Sequence, residues 1–169
     1  FDKSGKILGL DYPSGPLIDK LAREGDPLTY KFTKPKVDGL NFSFSGLKTG
    51  FMNFINKESL VNKSFIKDNI NNICASLQNI IIEILVEKVE LAIKKTSIKN
   101  IVICGGVSAN SCLREKMKNL GDNNSWNIYF PNIDYSTDNA AMIGIVGYLK
   151  YKNSITTDLT SYATARYKI

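Results

Sequence analysis

Between residues 63 and 96 the apolar positions fall three and four apart, from Ile66, Ile70 and Ile73 through Leu77, Ile81 and Ile84 to Val89 and Ala92. That spacing gathers them on one side of a helix, so the pattern predicts one long helix, or two with a break, packed against a core. Residues 101–104 form a short run rich in β-branched side chains, which suits a buried strand. In the stretch LNFSFSGLKTG, Leu40, Phe42 and Phe44 alternate with Asn41, Ser43 and Ser45, a period of two that predicts a half-buried strand over 41–44. The expected architecture is therefore an α/β lobe, with the 63–96 helix lying on a sheet that contains both strands.

Turn and cap residues divide the rest. Residues 1–10 read as a helix end closed by Gly9, Pro13 and Pro16 constrain the chain around Gly15, and 17–22 restart a short helix. Residues 24–40, with Gly25, Pro27, Pro35 and Gly39, read as a surface connection. After the 101–104 strand come Gly105 and Gly106, then Ser108 or Asn110 as the cap of a helix over about 111–117, whose free N–H groups would attract an anion or a phosphate. A polar connection at 121–127, a strand at 128–130 ended by Pro131, and a small-residue helix opened by Thr137 or Asp138 follow. Residues 1–153 read as one unit, and 154–169 as a polar tail whose Tyr and Arg dock locally.

A strand, a glycine turn and a helix start are the usual setting for a ligand at the carboxyl end of an open α/β sheet. The spacing here matches neither the dinucleotide fingerprint nor the P-loop, so ligand contact and a purely structural turn both stay open.

Composition narrows the chemistry. The 169 residues contain no histidine, which removes imidazole as base, metal ligand or pH switch. Three cysteines without a CxxC pair fit a reducing compartment. The most apolar piece, IIIEILVEKVELAI, is interrupted by Glu83, Glu87, Lys88 and Glu90, so no membrane span is expected. A formal charge of +6 suits a polyanionic partner and equally suits a lysine-rich composition with no partner. The absence of an initiator methionine, with apolar and basic residues at the very start, reads as a fragment of a longer chain.

Four motifs occur in order: FDKSGKILGLDYPSGPLIDKLAREG, FSFSGLKTG, CGGVSANSCLRE and YSTDNAAMIG. Together they resemble the carboxyl-terminal half of the universal tRNA threonylcarbamoyladenosine transferase family, whose bacterial form is called TsaD; the SGLKT wording is closest to the bacterial and organellar branch. The resemblance implies an actin-like, sugar-kinase-like (ASKHA) ATPase fold, of which this chain is mainly the carboxyl-terminal lobe. It implies transfer of threonylcarbamoyl from threonylcarbamoyl-AMP to N6 of adenosine 37 in tRNAs that read codons beginning with A. TsaB-like and TsaE-like partner proteins and a cytoplasmic location, or an organellar one in a eukaryote, are implied with it.

The family's adenylate-binding aspartate falls on Asp2, the glycine of its GYPGGP motif on Gly15, its next ligand-contacting position on Asp19 and the asparagine of GGVAAN on Asn110. Its metal-binding aspartate falls on Asp138. On the residues alone, Asp138 reads equally as a helix cap. Where the family has paired glycines this chain has Ser14, which would disturb a position that wants a positive φ, and Ser108 replaces an alanine. The family holds one divalent ion, iron or zinc, with two histidines of an HxxxH motif in its amino-terminal half; this chain has neither, so the fragment by itself is expected to be inactive and not to retain the metal. A related actin-like kinase or carbamoyltransferase, and a non-catalytic interaction lobe, stand as alternatives.

Overall fold

The computed structural model describes residues 1–160 together with Tyr162 and Thr164. Six helices and two strands are laid out as α1 (Asp2–Leu8), α2 (Ser14–Ala22), α3 (Ser45–Val61), α4 (Phe65–Thr96), β1 (Asn100–Val102), α5 (Ser111–Asn124), β2 (Asn127–Tyr129) and α6 (Ala140–Lys152). The class is α/β, with helix dominating.

The predicted long helix is α4, unbroken over 32 residues and ended by Ser97 in the left-handed region. It carries two cores. Its first half packs Ile73, Cys74 and Leu77 against Ile18 of α2 and Phe51 and Ile55 of α3. Farther along, Ile82 and Val86 meet Leu113 and Met117 of α5, with Ile103 and Ile128 at the margin. Because both cores use the same helix, whatever α1 and α2 carry is placed in fixed relation to whatever lies at the start of α5. The connection after α2 is tied down by polar contacts: Lys88 donates to the carbonyls of Val37 and Gly39, each at 2.7 Å, and Lys34 bridges Glu83 at 3.5 Å and also pairs with Glu87.

β1 and β2 pair in parallel, with Asn100 opposite Asn127, Ile101 opposite Ile128 and Val102 opposite Tyr129, and α5 is the crossover. Such a unit is the minimum parallel sheet, and parallel sheets are ordinarily covered on both faces. Here one edge of β1 has no partner strand among the described residues, and Val102 is 70% exposed.

The strand predicted over 41–44 does not form. Those residues are irregular and Phe42 is 52% exposed, its ring edge-on to Phe44 at 5.7 Å. Alternation gives a strand its faces but not its hydrogen bonds, and no neighbouring strand supplies them at this point. Ser45 instead opens α3, whose Leu47, Phe51 and Ile55 recur every four residues and are buried. The polar connection expected at 121–127 is shorter, since α5 runs on to Asn124. α6 is capped by Asn139, which accepts from the Met142 N–H at 3.2 Å, rather than by Thr137 or Asp138. In the tail, Tyr162 is 86% exposed and so is not docked, while Arg166 and Tyr167 lie outside the described residues.

All three cysteines are free. Cys74 is fully buried on α4, and burial pushes its thiol up from an ordinary 9.0 to about 11. A raised thiol pKa means folding favours the protonated form, so this contribution to stability is intact below about pH 9 and is lost as pH rises from there towards about 11. In the native chain at mildly alkaline pH, a disulfide thiol reagent should therefore modify exposed Cys104 and leave Cys74 untouched until denaturant is added. Equal labelling rates for the two would contradict this packing.

Candidate functional site

The resemblance placed five residues at one site, and the structure gathers four of them in two linked clusters. The first is made by α1 and α2, which cross so closely at Gly5 that an added Cβ would lie 2.1 Å from Ser14 Cβ. This approach brings Asp2 to the start of α2, where its Oδ1 accepts from the Ser14 N–H at 2.8 Å. Asp2 thereby satisfies a helix-start donor from 12 residues away and sits beside the half-buried Gly15. Ser14 itself is buried, its hydroxyl donating to the Asp11 carbonyl at 2.9 Å. Among the described residues, the non-glycine positions with positive φ are Ser97, Ser125 and Ser154, so Ser14 imposes no such strain. Gly15 also has an ordinary φ, and a Cβ there would meet only Phe1, at 4.0 Å.

One turn along α2 lies Asp19, on the same face as Gly15 and only 8% exposed. Its carboxylate occupies the N-terminus of α5. Oδ2 accepts from the Ser111 N–H at 3.2 Å, and Oδ1 accepts from the Ser111 hydroxyl at 2.8 Å and from Asn110 Nδ2 at 3.3 Å. Arg23, mostly exposed, approaches Oδ2 at 3.4 Å. The anion expected at this helix start is thus the protein's own carboxylate, which complements the helix dipole and uses its first free N–H.

Asn110 caps α5 through Oδ1, which accepts from the Leu113 N–H at 3.0 Å, and its Nδ2 also donates to Gln78 Oε1 at 2.7 Å. Cap and site residue are the same side chain. Of the glycine pair before it, Gly105 needs to be glycine because its φ is +87°, whereas Gly106 enters a 3-10 turn over Gly106–Ala109. Ser108 finds a structural use: its buried hydroxyl donates to the hydroxyl of Ser136 at 3.1 Å. Arg114 braces the same region, donating to the Ser108 carbonyl at 2.6 Å and the Pro131 carbonyl at 2.9 Å with its guanidinium 4.8 Å from the Phe130 ring. The turns after β1 and β2 are thereby fastened to each other.

Asp138 follows two residues after Ser136 and is exposed. Among the described residues no group of three or more His, Cys, Asp or Glu side chains could hold a metal ion. The residues present do not by themselves fit a bound metal, because Asp138 offers a single carboxylate.

A groove of about 1040 Å³ runs beside the two clusters. Asp2, Lys3 and Lys48 lie along it, Ser108 joins them, and α4 and β1 supply apolar walls through Leu85, Val89 and Ile101. Gly15, Asp19 and Asn110 do not line it. Sequence reasoning missed Gln78, Ser111 and Arg114. The available signal for Gln78 was a polar residue between Leu77 and the isoleucines of an otherwise apolar stretch.

The model of the family described as TsaD, tRNA N6-adenosine threonylcarbamoyltransferase, matches residues 1–145. Curated relatives with that description include the protein of Christiangramia forsetii, 52% identical over 168 residues, which are 99% of this chain and 49% of the relative. Those of Riemerella anatipestifer, 50% identical over 100% of this chain and 50% of the relative, and Thermosipho africanus, 43% identical over the same shares, agree. The chain spans about half the length of these curated relatives. No helix among the described residues is long and apolar enough to cross a membrane. With residues 1–145 matching the family model and identities up to 52% across nearly its whole length, the chain belongs to the TsaD family of tRNA N6-adenosine threonylcarbamoyltransferases.

Proposed function

We propose that this chain is the carboxyl-terminal lobe of an ASKHA-type enzyme that moves a threonylcarbamoyl group from threonylcarbamoyl-AMP to N6 of an adenosine in tRNA, and that it works only with the other half of that protein. What carries the reading is the joining of Asp19 and Asn110, 91 positions apart, in one buried cluster one turn of α2 from Gly15. Residues scattered through the sequence are adjacent in space. The unpaired edge of β1, the apolar groove against α4, and an α6 with no buried residue support the need for a second half, since a stable parallel sheet and an apolar helix want cover.

The chemistry asks mainly for alignment. An exocyclic adenine amine is a weak nucleophile, but the donor is a mixed carbonic–phosphoric anhydride with AMP as leaving group. The N6–carbon bond forms, the carbon–oxygen bond to phosphate breaks, and N6 gives up one proton. In this reading Asp2, Gly15 and Asn110 border the donor, and Asp19 holds Asn110 in place beside it. Asp138 contributes one ligand to a divalent ion, iron or zinc, whose other ligands come from the missing half. When bound, such an ion supplies charge stabilisation for oxygen atoms. The net +6 charge suits tRNA, TsaB-like and TsaE-like proteins are the expected partners, and the three free cysteines suit a cytoplasmic setting.

The test is reconstitution. The chain is co-expressed with a polypeptide covering the remaining half of the Christiangramia forsetii relative, and transfer from threonylcarbamoyl-AMP to tRNA is measured with each half alone and with both. Transfer that requires both halves is the expected result. A stable two-half complex without transfer would overturn the proposal.

A further inference from the structure

Gln78 is 4% exposed on α4, with Leu77, Ile81 and Ile82 packed in the cores on either side. A leucine or methionine would fill that volume without burying an amide. Its Oε1 takes the shortest hydrogen bond in the Asp19–Asn110 cluster, at 2.7 Å. Burying an amide carries a desolvation cost that an apolar side chain would avoid, so packing alone does not account for it.

The polarity of the cluster follows from its fixed members. The Leu113 backbone N–H can only donate, so the Asn110 atom 3.0 Å from it is the oxygen. With that oxygen turned to Leu113, the Asn110 atom that faces the Asp19 carboxylate is the nitrogen. The Gln78 atom facing that nitrogen must then be its oxygen. Both protons of the Asn110 amide are spent, one on Gln78 and one on Asp19. Asp19 is spent as well, for its two oxygens already receive Asn110, the Ser111 hydroxyl, the Ser111 N–H and Arg23. A carboxylate has about four acceptor positions.

We propose that Gln78 and Asp19 are positioning residues that clamp the Asn110 carboxamide from two sides, so that Asn110 meets the bound nucleotide only as a hydrogen-bond acceptor, through the second lone pair of Oδ1. This rests on the reading of Asn110 as a donor-site residue. The ligand group it selects is therefore a hydroxyl or an amine, not a phosphate or carbonyl oxygen. A phosphate at the start of α5 would also be repelled by the Asp19 carboxylate already seated there.

The experiment follows the Asn110 side-chain amide by nitrogen-15 NMR in the whole chain, in wild type, Gln78→Met and Gln78→Glu, with thermal unfolding as the check on folding. In wild type the Asn110 amide protons exchange at least about tenfold more slowly than those of exposed Asn123, because both are bonded inside the protein. Gln78→Met removes that protection while the helix cap at Leu113 survives; Gln78→Glu keeps an acceptor and keeps the protection. Wild-type exchange as fast as that of Asn123, or protection unchanged in Gln78→Met, overturns the clamp. Should Gln78→Met not fold, the wild-type measurement decides alone. In the reconstituted two-half enzyme, Gln78→Met raises KM for threonylcarbamoyl-AMP by about fivefold, the loss of roughly one ordinary hydrogen bond, and Gln78→Glu restores most of it. Unchanged KM in Gln78→Met overturns the functional half of the proposal. Failure of the enzymatic reading is distinct, since it leaves wild type without transfer while the exchange data still decide whether Gln78 holds Asn110.

Discussion

Replacing Phe51 by alanine will lower the unfolding free energy of this chain by about 3–5 kcal/mol, read as a drop in the urea midpoint. Phe51 is fully buried on α3, between Leu47 and Ile55, and its ring meets Phe32 at 5.4 Å. Phe32 in turn stands edge-on to Phe54, which touches Tyr30 and Phe65, so the aromatic chain ties the 30–32 segment to α3 and to the start of α4. Truncation removes the transfer energy of the ring and leaves a hole that stiff helices on both sides close poorly. The size of the effect follows from the size of the core, since the described residues bury few large side chains in total and one helix serves both clusters. Leu60, on the same helix but 87% exposed, is the control: Leu60→Ala should fall within about 0.5 kcal/mol of wild type. Equal losses for the two variants would mean that α3 is not seated on α4 as described.

Legibility from sequence followed the kind of physics each element depends on. α4 was readable because its apolar residues recur every three or four positions and burial follows that period, through Ile73, Leu77 and Ile84. A cap at Ser108 or Asn110, which the structure gives to Asn110, and the Gly9 helix end were readable because each is a local rule, a side chain answering a nearby N–H or a glycine taking a left-handed φ of 77°. The 41–44 segment failed for the opposite reason, as its period of two says nothing about whether a partner strand lies alongside. α3 was hidden behind it, although Leu47, Phe51 and Ile55 carry the signal at intervals of four. Long-range polar pairing was not legible from spacing at all. Nothing local in CASLQNI says that Gln78 will face Asn110, 32 positions on, or that Asp19 will fill the helix start that follows it. The resemblance named Asp2, Gly15, Asp19 and Asn110 as one site, but gave no hint that two of them would be bonded to each other.

Asp138→Asn should abolish metal retention and transfer in the reconstituted two-half enzyme while leaving the fold of this chain intact. Asp138 is exposed and the cap of α6 belongs to Asn139, so removing its charge changes stability by no more than about 0.5 kcal/mol. Asn139→Ala, by contrast, loses the bond to the Met142 N–H and costs about 0.5–2 kcal/mol. The two neighbours thus separate helix capping from ligation. The Ser108–Ser136 hydroxyl pair holds the segment before Asp138 against the turn that leads to Asn110. One carboxylate cannot offset the dehydration of a divalent ion, so wild type and Asp138→Asn should bind zinc equally weakly when this chain is tested alone. Added ligands from the second half change that balance, and only then should the difference between Asp138 and asparagine appear, as metal content by mass spectrometry and as transferred threonylcarbamoyl. Equal metal content and equal transfer for wild type and Asp138→Asn in the assembled enzyme would remove Asp138 from the metal site.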